Sequence, residues 1–320
     1  MLEGFLGIDV GSVTTKLALI DKNDDVIWST YRKTKGQPIR VLQSALRDLS
    51  RALNPVILGL GTTGSGRRLA SYLAGADIVK NEITAHAVAS IETVPEVRTI
   101  MEIGGQDSKL IIIRDGVVID FSMNTVCAAG TGSFLEHQAS RLGLSVEELG
   151  GYAISSTKPT RIAGRCTVFA ESDMVHKQQM GHEIEDIVSG LCDALCRNYL
   201  SNLARGKELR DPVIFQGGVA ANEGIKSSFE RELNKEIIIP EHFNIMGAIG
   251  AAMLARELSP KETRFRGFSI AHQQLTTSSF YCNDCHNSCG IIEIRDGENI
   301  IARWGDSCSK WSAEFEKVSN

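Results

Sequence analysis

Three short glycine-containing loops, each directly after an apolar strand-like run, constrain the fold of this 320-residue chain most strongly. The loops are DVGSVTTK at residues 9–16, EIGGQD at residues 102–107 and QGGVAAN at residues 216–222. Glycine lets the backbone approach a ligand closely, and successive backbone N–H groups in such a turn can bind phosphate oxygens. The sequence therefore predicts an α/β chain whose strands end in phosphate-binding loops.

The first loop has the groups that hold a metal-bound phosphate. Hydroxyl groups and backbone N–H groups can bind phosphate oxygens, Lys16 adds a positive charge, and Asp9 can hold a hydrated Mg²⁺. Its candidate phosphate-binding residues are Gly11, Ser12, Val13, Thr14, Thr15 and Lys16. The loop matches neither the Walker nor the Rossmann pattern, so a plain glycine turn is the alternative.

The other two loops repeat the theme of a strand followed by two glycines. Their candidate nucleotide-binding residues are Gly104, Gly105, Gln216, Gly217 and Gly218. Asp9, Gln106 and Asp107 are the candidate catalytic residues. The order of the three loops resembles the actin/Hsp70/sugar-kinase ATPase superfamily, in which the first two loops bind the phosphates and the last faces the adenosine. This resemblance implies a two-lobe α/β fold built from duplicated ribonuclease-H-like units, with the loops lining a nucleotide cleft.

The apolar patterns divide the chain into two similar α/β units and a C-terminal appendix. We expect an N-terminal lobe over residues 1–95, completed by a helix at 245–257, and a second lobe over residues 96–244. Residues 258–280 are polar and predict a linker. Residues 281–320 predict a small cysteine-bearing appendix.

Composition excludes several classes of function. The net charge of −5 carries no basic excess, so a nucleic-acid-binding surface is not expected. No apolar run reaches the ~18 residues of a membrane helix, and the N-terminus does not resemble a signal peptide. These features predict a cytoplasmic protein that binds neither nucleic acid nor membrane, in which cysteines serve metal or redox chemistry better than disulfides.

Two cysteines lie in motifs that predict helix starts. Cys127 occurs in NTVCAAGTGSFLE and Cys166 in CTVFAESD. A helix N-terminus favours a thiolate and an anionic cluster bound to it. A [4Fe–4S] cluster needs four thiolates, which a twofold dimer could supply from two cysteines per chain. Two ordinary buried cysteines are the alternative that spacing alone leaves open.

These motifs together resemble one family. The stretches LGIDVGSVTTK, EIGGQDSK, NTVCAAGTGSFLE, CTVFAESD, QGGVAAN and GAIGAA are similar to the activators (component A) of 2-hydroxyacyl-CoA dehydratases. These activators are grouped with the ATPase subunits of benzoyl-CoA reductase in the BadF/BadG/BcrA/BcrD ATPase family. The matching motifs lie within residues 4–254.

The resemblance implies a function as well as a fold. It implies a homodimer with one [4Fe–4S] cluster held by Cys127 and Cys166 of both chains. ATP binding and hydrolysis would drive one low-potential electron into a partner iron–sulfur enzyme. That acceptor would be a 2-hydroxyacyl-CoA dehydratase, a benzoyl-CoA reductase or a double-cubane-cluster protein, and the electron donor a ferredoxin or flavodoxin.

The C-terminal appendix goes beyond this resemblance. Cys282, Cys285, Cys289 and Cys308 flank a predicted β-hairpin, a spacing typical of a Cys₄ zinc ribbon. A second iron–sulfur cluster suits the same ligands, and four unligated cysteines are the remaining alternative.

Two other functions remain open at this stage. A small-molecule kinase of the same fold would use Asp107 as its base but leaves Cys127 and Cys166 without a role. A nucleotide-gated interaction module would hydrolyse or bind the nucleotide without electron transfer. Cys192 and Cys196, spaced four apart on a predicted helix at 183–204, favour core packing over ligation.

Overall fold

The apolar and helical patterns of the sequence correspond to strands and helices in two compact units. The first unit consists of Met1–Asn81 with Ala251–Asn320, and the second of Glu82–Gly250. The structure, a computed structural model, describes residues 2–164 and 166–313. In chain order, the first unit starts with β1 (Glu3–Val10), β2 (Thr14–Ile20), β3 (Val26–Lys33), α1 (Pro38–Ala52), β4 (Val56–Thr63), α2 (Arg67–Ala74) and β5 (Ile78–Val79).

The second unit contains α3 (Glu82–Thr93), β6 (Thr99–Ile103), β7 (Ser108–Arg114), β8 (Val117–Asn124), α4 (Gly132–Leu142), α5 (Leu149–Ser155), α6 (Thr167–Gln179), α7 (Ile184–Leu203), β9 (Val213–Gln216), α8 (Glu223–Leu233) and β10 (Ile237–Ile238). The chain continues with α9 (Met246–Leu258), within which the boundary between the units falls, and then with β11 (Leu275–Tyr281), β12 (Gly290–Asp296) and β13 (Asn299–Trp304).

Each unit contains a five-stranded sheet, and the two sheets have the same topology. The strand order is β3-β2-β1-β4-β5 in the first unit and β8-β7-β6-β9-β10 in the second. In each sheet the first three strands of the unit form an antiparallel meander, and its fourth strand pairs in parallel with the first. The turn of the β7–β8 hairpin has positive φ at Asp115 (50°) and Gly116 (73°), as expected for a type I′ turn.

Small residues allow helices to approach these sheets closely. A Cβ on Gly61 of β4 would lie 1.9 Å from the Ala251 carbonyl oxygen, and a Cβ on Gly250 would lie 1.9 Å from the Ala85 carbonyl oxygen. Both distances are far below van der Waals contact, so the small residues of GAIGAA serve backbone packing. A larger side chain at either glycine would displace α9 from the element against which it packs.

The unit boundaries differ from those expected from the sequence. Helix α3, expected in the first lobe, belongs to the second unit because Ile83 and Ala87 pack against Ile100, Ile111 and Ile214 of that unit's sheet. The second unit also extends to Gly250 rather than ending at residue 244.

The segment 258–280, expected to be a linker, is part of the first unit. Ile270 and Ala271 are buried in that unit's hydrophobic core. The Gln43 side-chain amide of α1 donates hydrogen bonds of 2.9 Å to the carbonyl oxygens of Ile270 and Gln273. The sequence predicted a linker because this segment contains few apolar residues. It is held instead by hydrogen bonds to its backbone carbonyl oxygens, which composition does not reveal.

The expected appendix forms the hairpin β12–β13, and the end of the expected linker adds β11 to it, which gives a three-stranded antiparallel sheet that also packs on the first unit. Ile294 and Ala302 are fully buried, and the Trp304 ring stacks on Tyr72 with ring centroids 5.6 Å apart. Residues 314–320 of the appendix lie outside the described residues. The described part of the chain contains no helix long and apolar enough to span a membrane.

We predict that Trp304→Ala lowers the free energy of unfolding by about 2 kcal/mol, because it removes a half-buried aromatic from the seam between the C-terminal sheet and α2. Tyr281→Ala is the control, since Tyr281 is 75% exposed. Urea unfolding of the full chain measures both. Equal stability of the two variants would show that the sheet does not stabilise the first unit.

Candidate functional site

The first candidate loop is the turn of the β1–β2 hairpin. The register of the hairpin places Asp9 opposite Lys16, and the Lys16 ammonium lies 3.0 Å from Oδ2 of Asp9. The Gly11 N–H donates to the Thr14 carbonyl oxygen over 2.9 Å and closes the turn. Asp9 is buried, which fixes one carboxylate at the base of the loop.

Some side chains of this loop are exposed to solvent, and others are buried and stabilise the loop. Ser12 is exposed, whereas Thr14 and Thr15 are buried. The Thr15 hydroxyl lies 3.0 Å from the Thr34 hydroxyl, so it stabilises the loop from inside. The Thr15 hydroxyl thus faces the protein interior, and phosphate binding by Thr15 stays a prediction.

The second loop repeats this arrangement in the β6–β7 hairpin. Glu102 lies opposite Lys109 in the register, and the Lys109 ammonium is 2.9 Å from Oε2 of Glu102. Lys109 also lies 3.0 Å from Oδ2 of Asp107 and 3.8 Å from Oε2 of Glu82. Burial lowers the pKa of Lys109, but these three carboxylates outweigh it and hold the pKa above its ordinary value.

A glycine turn after the fourth strand abuts the acidic residue in both units. Gly64 and Gly217 both have φ of +89°. A Cβ on Gly64 would lie 2.4 Å from Oδ1 of Asp9, and a Cβ on Gly217 would lie 2.8 Å from Oε1 of Glu102. Only glycine fits this close approach and this backbone conformation.

Sequence reasoning missed two parts of this duplicated pattern. It did not include Lys109, although Glu102 and Lys109 have the same spacing as Asp9 and Lys16. It also did not single out Gly64, although the segment GSG that begins there follows a buried strand, as Gly217-Gly218 does. The signal in both cases was the internal repeat, which predicts equivalent residues in each unit.

The third loop is stabilised by a buried polar network around the side chain of Gln216. Gln216 is fully buried, its side-chain nitrogen lies 3.0 Å from Nδ1 of His86, and its Oε1 accepts a hydrogen bond of 3.1 Å from the Ser90 hydroxyl. Gln216, predicted to bind nucleotide, therefore supports the turn, while Gly218 is exposed.

Three hydroxyl groups near these loops are buried without a hydrogen-bond partner in the described residues: those of Thr62, Thr63 and Ser108. Thr63 lies beside Asp9 in the β1–β4 register, and Ser108 immediately follows Asp107. An orphaned buried hydroxyl costs free energy unless a ligand or water satisfies it. The donor set of Asp9, Ser12 and Lys16 in the first unit suits a hydrated Mg²⁺ and phosphate oxygens.

The two cysteines predicted as cluster ligands each precede a helical turn, as their motifs indicated. Cys127 caps the 3₁₀ turn Ala128–Gly130, and Cys166 is the N-cap residue of α6. Both are partly exposed free thiols. The Asn124 side chain accepts from the Cys127 N–H over 3.0 Å and donates to its carbonyl oxygen over 2.7 Å, which fixes the cysteine backbone.

Asn198 of α7 lies between the segments that carry the two cysteines. Its side-chain amide donates to the Gly164 carbonyl oxygen over 2.9 Å, two residues before Cys166. A Cβ on Gly130 would lie 2.9 Å from Oδ1 of Asn198, three residues after Cys127. One buried amide is therefore hydrogen-bonded to the segment before Cys166 and lies close to the segment after Cys127.

Glu171 of α6 connects the helices that follow the two cysteines. It forms an ion pair with Arg141 and lies 3.5 Å from Nδ1 of His137, both on α4. The two helices are therefore joined by a salt bridge.

The prediction that Cys192 and Cys196 pack in the core is confirmed. Both are 1% exposed, and burial raises the pKa of Cys192 to about 12. Burial likewise raises the pKa of the Cys196 thiol. Both thiols therefore stay protonated at neutral pH, which fits core packing rather than ligation.

The C-terminal cysteines lie in two adjoining loops. The Cys282 N–H donates to the Cys289 carbonyl oxygen over 2.8 Å, and Cys289 Sγ lies 3.7 Å from the Ser307 hydroxyl, next to Cys308. Cys282 Sγ also accepts a hydrogen bond of 3.3 Å from the Trp311 indole. Across residues 2–164 and 166–313, no three cysteine, histidine or carboxylate side chains are gathered to hold a metal ion, and the Cys₄ site stays a prediction.

A basic cavity of about 710 Å³ adjoins the segment before Cys166. Arg161, Lys177 and Arg197 line it together with Asp173 and Phe169. Three cations and one carboxylate favour an acidic partner group at this surface.

Comparison with known proteins connects these features to a family. The sequence profile of the BadF/BadG/BcrA/BcrD ATPase family matches residues 6–255. The chain is 36% identical to the 2-hydroxyisocaproyl-CoA dehydratase activator of Clostridioides difficile, over 78% of this chain and 94% of that protein. It is 32% identical to the (R)-2-hydroxyglutaryl-CoA dehydratase activating ATPase of Acidaminococcus fermentans, over 80% and 98% of the respective chains.

A solved structure agrees with the sequence matches. The activator of the 2-hydroxyisocaproyl-CoA dehydratase from Clostridium difficile, with bound ADPNP, superposes with a TM-score of 0.73 at 33% identity. The match covers 80% of this chain and 95% of that one. Together with the duplicated sheets, it confirms the predicted actin/Hsp70/sugar-kinase-like α/β fold. The family profile ends at residue 255, before the C-terminal sheet.

We predict that Lys109→Met lowers the free energy of unfolding by about 3–5 kcal/mol, because it leaves buried carboxylates without a counter-charge. Lys207→Met is the matched control: it removes a lysine paired with the exposed Asp120, and should change stability little. Denaturant titration of both variants is the measurement. A Lys109→Met protein as stable as the control would contradict the structural role given to this ion-pair cluster.

Proposed function

Because the chain belongs to the BadF/BadG/BcrA/BcrD ATPase family, we propose that it couples ATP hydrolysis to the delivery of one low-potential electron to a partner iron–sulfur enzyme. The observation that carries this proposal is the combination, within one chain, of duplicated phosphate loops and two partly exposed cysteines at helical N-termini. A cytoplasmic location is part of the same proposal.

We assign nucleotide binding to the loops of both units. Asp9 holds a hydrated Mg²⁺, the backbone of Gly11–Lys16 and the exposed Ser12 hydroxyl bind phosphate oxygens, and Lys16 orients Asp9. In the second unit, Gly104 and Gly105 present backbone to phosphate, and Gly217 and Gly218 to the nucleoside. Gln106 and Asp107 are the exposed and partly exposed side chains of their turn and are assigned to positioning the attacking water.

Cys127 and Cys166 are assigned as the metal ligands. Each residue directly precedes a helical turn, where backbone N–H groups carry partial positive charge that suits an anionic cluster. A [4Fe–4S] cluster bound by these thiolates would supply one-electron redox chemistry. Two ligands per chain are half the required number, so the cluster site is completed by a second copy on a twofold axis.

Exposed apolar side chains beside the cysteines support a homodimer. Val126 is 94% exposed next to Cys127, and Val168 and Phe169 are each 66% exposed just after Cys166. Large apolar groups concentrated around candidate ligands favour burial against another protein surface. A second copy would bury them and supply the missing thiolates together.

The acceptor is proposed from the relatives' activities. Several relatives are named as dehydratase activators, and one relative, from Thauera aromatica, is named as a subunit of benzoyl-CoA reductase. We therefore propose a 2-hydroxyacyl-CoA dehydratase, benzoyl-CoA reductase or double-cubane-cluster protein as acceptor, and ferredoxin or flavodoxin as donor. The basic cavity before Cys166 suits docking of an acidic partner surface.

A small-molecule kinase has less support. It would use Asp107 as its base, and it would leave both cysteines without a function. The C-terminal cysteines keep their predicted role as ligands of a structural Zn²⁺ or of a second iron–sulfur cluster.

The nucleotide assignment predicts that Asp9→Ala lowers Mg·ATP hydrolysis by about 100-fold or more, because the metal and phosphate lose their carboxylate anchor. Iron content should not change, since the cysteines lie elsewhere. Asp120→Ala is the control, because Asp120 is also an aspartate paired with a lysine but lies on the exposed face of β8. Normal hydrolysis by Asp9→Ala would contradict the metal-holding role.

The cluster assignment predicts that Cys127→Ser or Cys166→Ser removes iron from both protomers and weakens the dimer, while ATP binding persists. Iron content and mass in solution, measured anaerobically, test this. Cys192→Ala should keep the iron and Cys285→Ser should lose only zinc; loss of iron in Cys285→Ser would reveal a second cluster. A monomer that retains four irons would overturn the dimer assignment.

A further inference from the structure

The N-terminus of α4 is hydrogen-bonded to the second phosphate loop. The Gly132 N–H donates to the Gly104 carbonyl oxygen over 2.8 Å, and the Ser133 N–H donates to the Gly105 carbonyl oxygen over 2.8 Å. The Ser133 hydroxyl donates to the same Gly105 oxygen over 2.5 Å. Ser133 therefore holds one peptide of the loop with both its backbone and its side chain.

The contact is close-packed as well as hydrogen-bonded. A Cβ on Gly132 would lie 3.1 Å from the Gly104 carbonyl oxygen, 3.2 Å from Cγ2 of Val219 and 3.4 Å from Cα of Gly105. The turn after β9 thus meets the same helix end. Because hydrogen bonds and this close approach join the Gly104-Gly105 peptides to the start of α4, a shift of these peptides is expected to move that helix end.

The start of α4 leads directly back to Cys127. The connection from Cys127 to Gly132 consists of the 3₁₀ turn Ala128–Gly130 and the fully buried Thr131. The Thr131 hydroxyl and N–H both donate to the Ala128 carbonyl oxygen, over 2.8 and 3.1 Å. Because this connection is short and internally bonded, a movement of α4 is passed to Cys127 rather than lost in a flexible loop.

We propose that Ser133 is the positioning residue that transmits the nucleotide state of the Gly104-Gly105 loop to Cys127. The inference rests on the proposed function in one respect, the binding of nucleotide phosphate at Gly104 and Gly105. A phosphate bound by the loop's N–H groups reorients these peptides, and their carbonyl oxygens are the acceptors of Ser133 and Gly132. The exposure of the Cys127 thiol then depends on whether nucleotide is bound.

The test measures Cys127 itself in cluster-free protein, so it does not depend on electron transfer. The rate of alkylation of Cys127 by iodoacetamide is followed by mass spectrometry with and without Mg·ATP, and nucleotide affinity is measured in parallel. In the unmodified chain, we expect saturating nucleotide to change this rate about fivefold or more. In Ser133→Ala, the change should fall below about twofold at unaltered nucleotide affinity.

Two variants separate this role from a merely structural one. Ser133→Thr keeps the hydroxyl and should restore the nucleotide effect. Gly132→Ala leaves Ser133 in place but presses a methyl group towards the Gly104 carbonyl oxygen, and should reduce the effect as Ser133→Ala does. Ser155→Ala removes an exposed hydroxyl that bonds only within its own helix, and should behave as the unmodified chain.

The outcomes distinguish this inference from the proposed function. A full nucleotide effect in Ser133→Ala overturns the role of Ser133. Nucleotide binding without any change at Cys127 in the unmodified chain overturns the coupling but leaves ATP binding intact. Absence of nucleotide binding overturns both the inference and the proposed function.

Discussion

The ion pairs of the buried Lys109 ammonium are the interaction on which the loops of the second unit depend. It lies within 3.8 Å of three carboxylates that come from α3, from the end of β6 and from the turn that follows it. A buried charge is stable only when opposite charges compensate it, so the ion pairs also fix the positions of the three carboxylates. Glu102 then abuts Gly217, and the Lys109 carbonyl oxygen accepts a hydrogen bond of 2.6 Å from Tyr199 of α7. The ion-pair cluster therefore contacts the glycine turn at Gly217, and the backbone of the same lysine is hydrogen-bonded to α7. That helix also carries Asn198, which lies between the two cysteine segments.

Duplication explains why the chain has two such hairpins, and divergence explains why they differ. Asp9 and Lys16 form the same cross-strand pair as Glu102 and Lys109, and Gly64 and Gly217 take the same backbone conformation. In the first unit the pair lies beside an exposed serine and suits phosphate chemistry. In the second unit the lysine is fully buried among carboxylates, and the loop's carbonyl oxygens are bonded to the helix after Cys127. The two hairpins therefore share one backbone arrangement but differ in the burial of the lysine and in what the loop contacts.

The fold could be predicted from sequence because it depends on local signals: glycine after buried strands, type I′ turn residues and helical periodicity. The loop residues and cysteines could be named for the same reason. The inward placement of Thr15, the ion pair of Glu171 with Arg141 and the bridging position of Asn198 could not, because they depend on contacts between residues far apart in the chain. The docked segment 258–280 was misjudged because its burial depends on hydrogen bonds from Gln43 to backbone carbonyls, which composition does not reveal.

We propose that ATP controls the transfer of an electron from a cluster held at Cys127 and Cys166. The most direct measurement follows the visible absorbance of the anaerobically reduced protein after mixing with an iron–sulfur acceptor enzyme, with Mg·ATP, with Mg·ADP or without nucleotide. The account predicts one-electron oxidation of the protein and reduction of the acceptor with Mg·ATP alone. Electron transfer at the same rate in all three conditions, or a colourless protein that phosphorylates a small molecule, would contradict it.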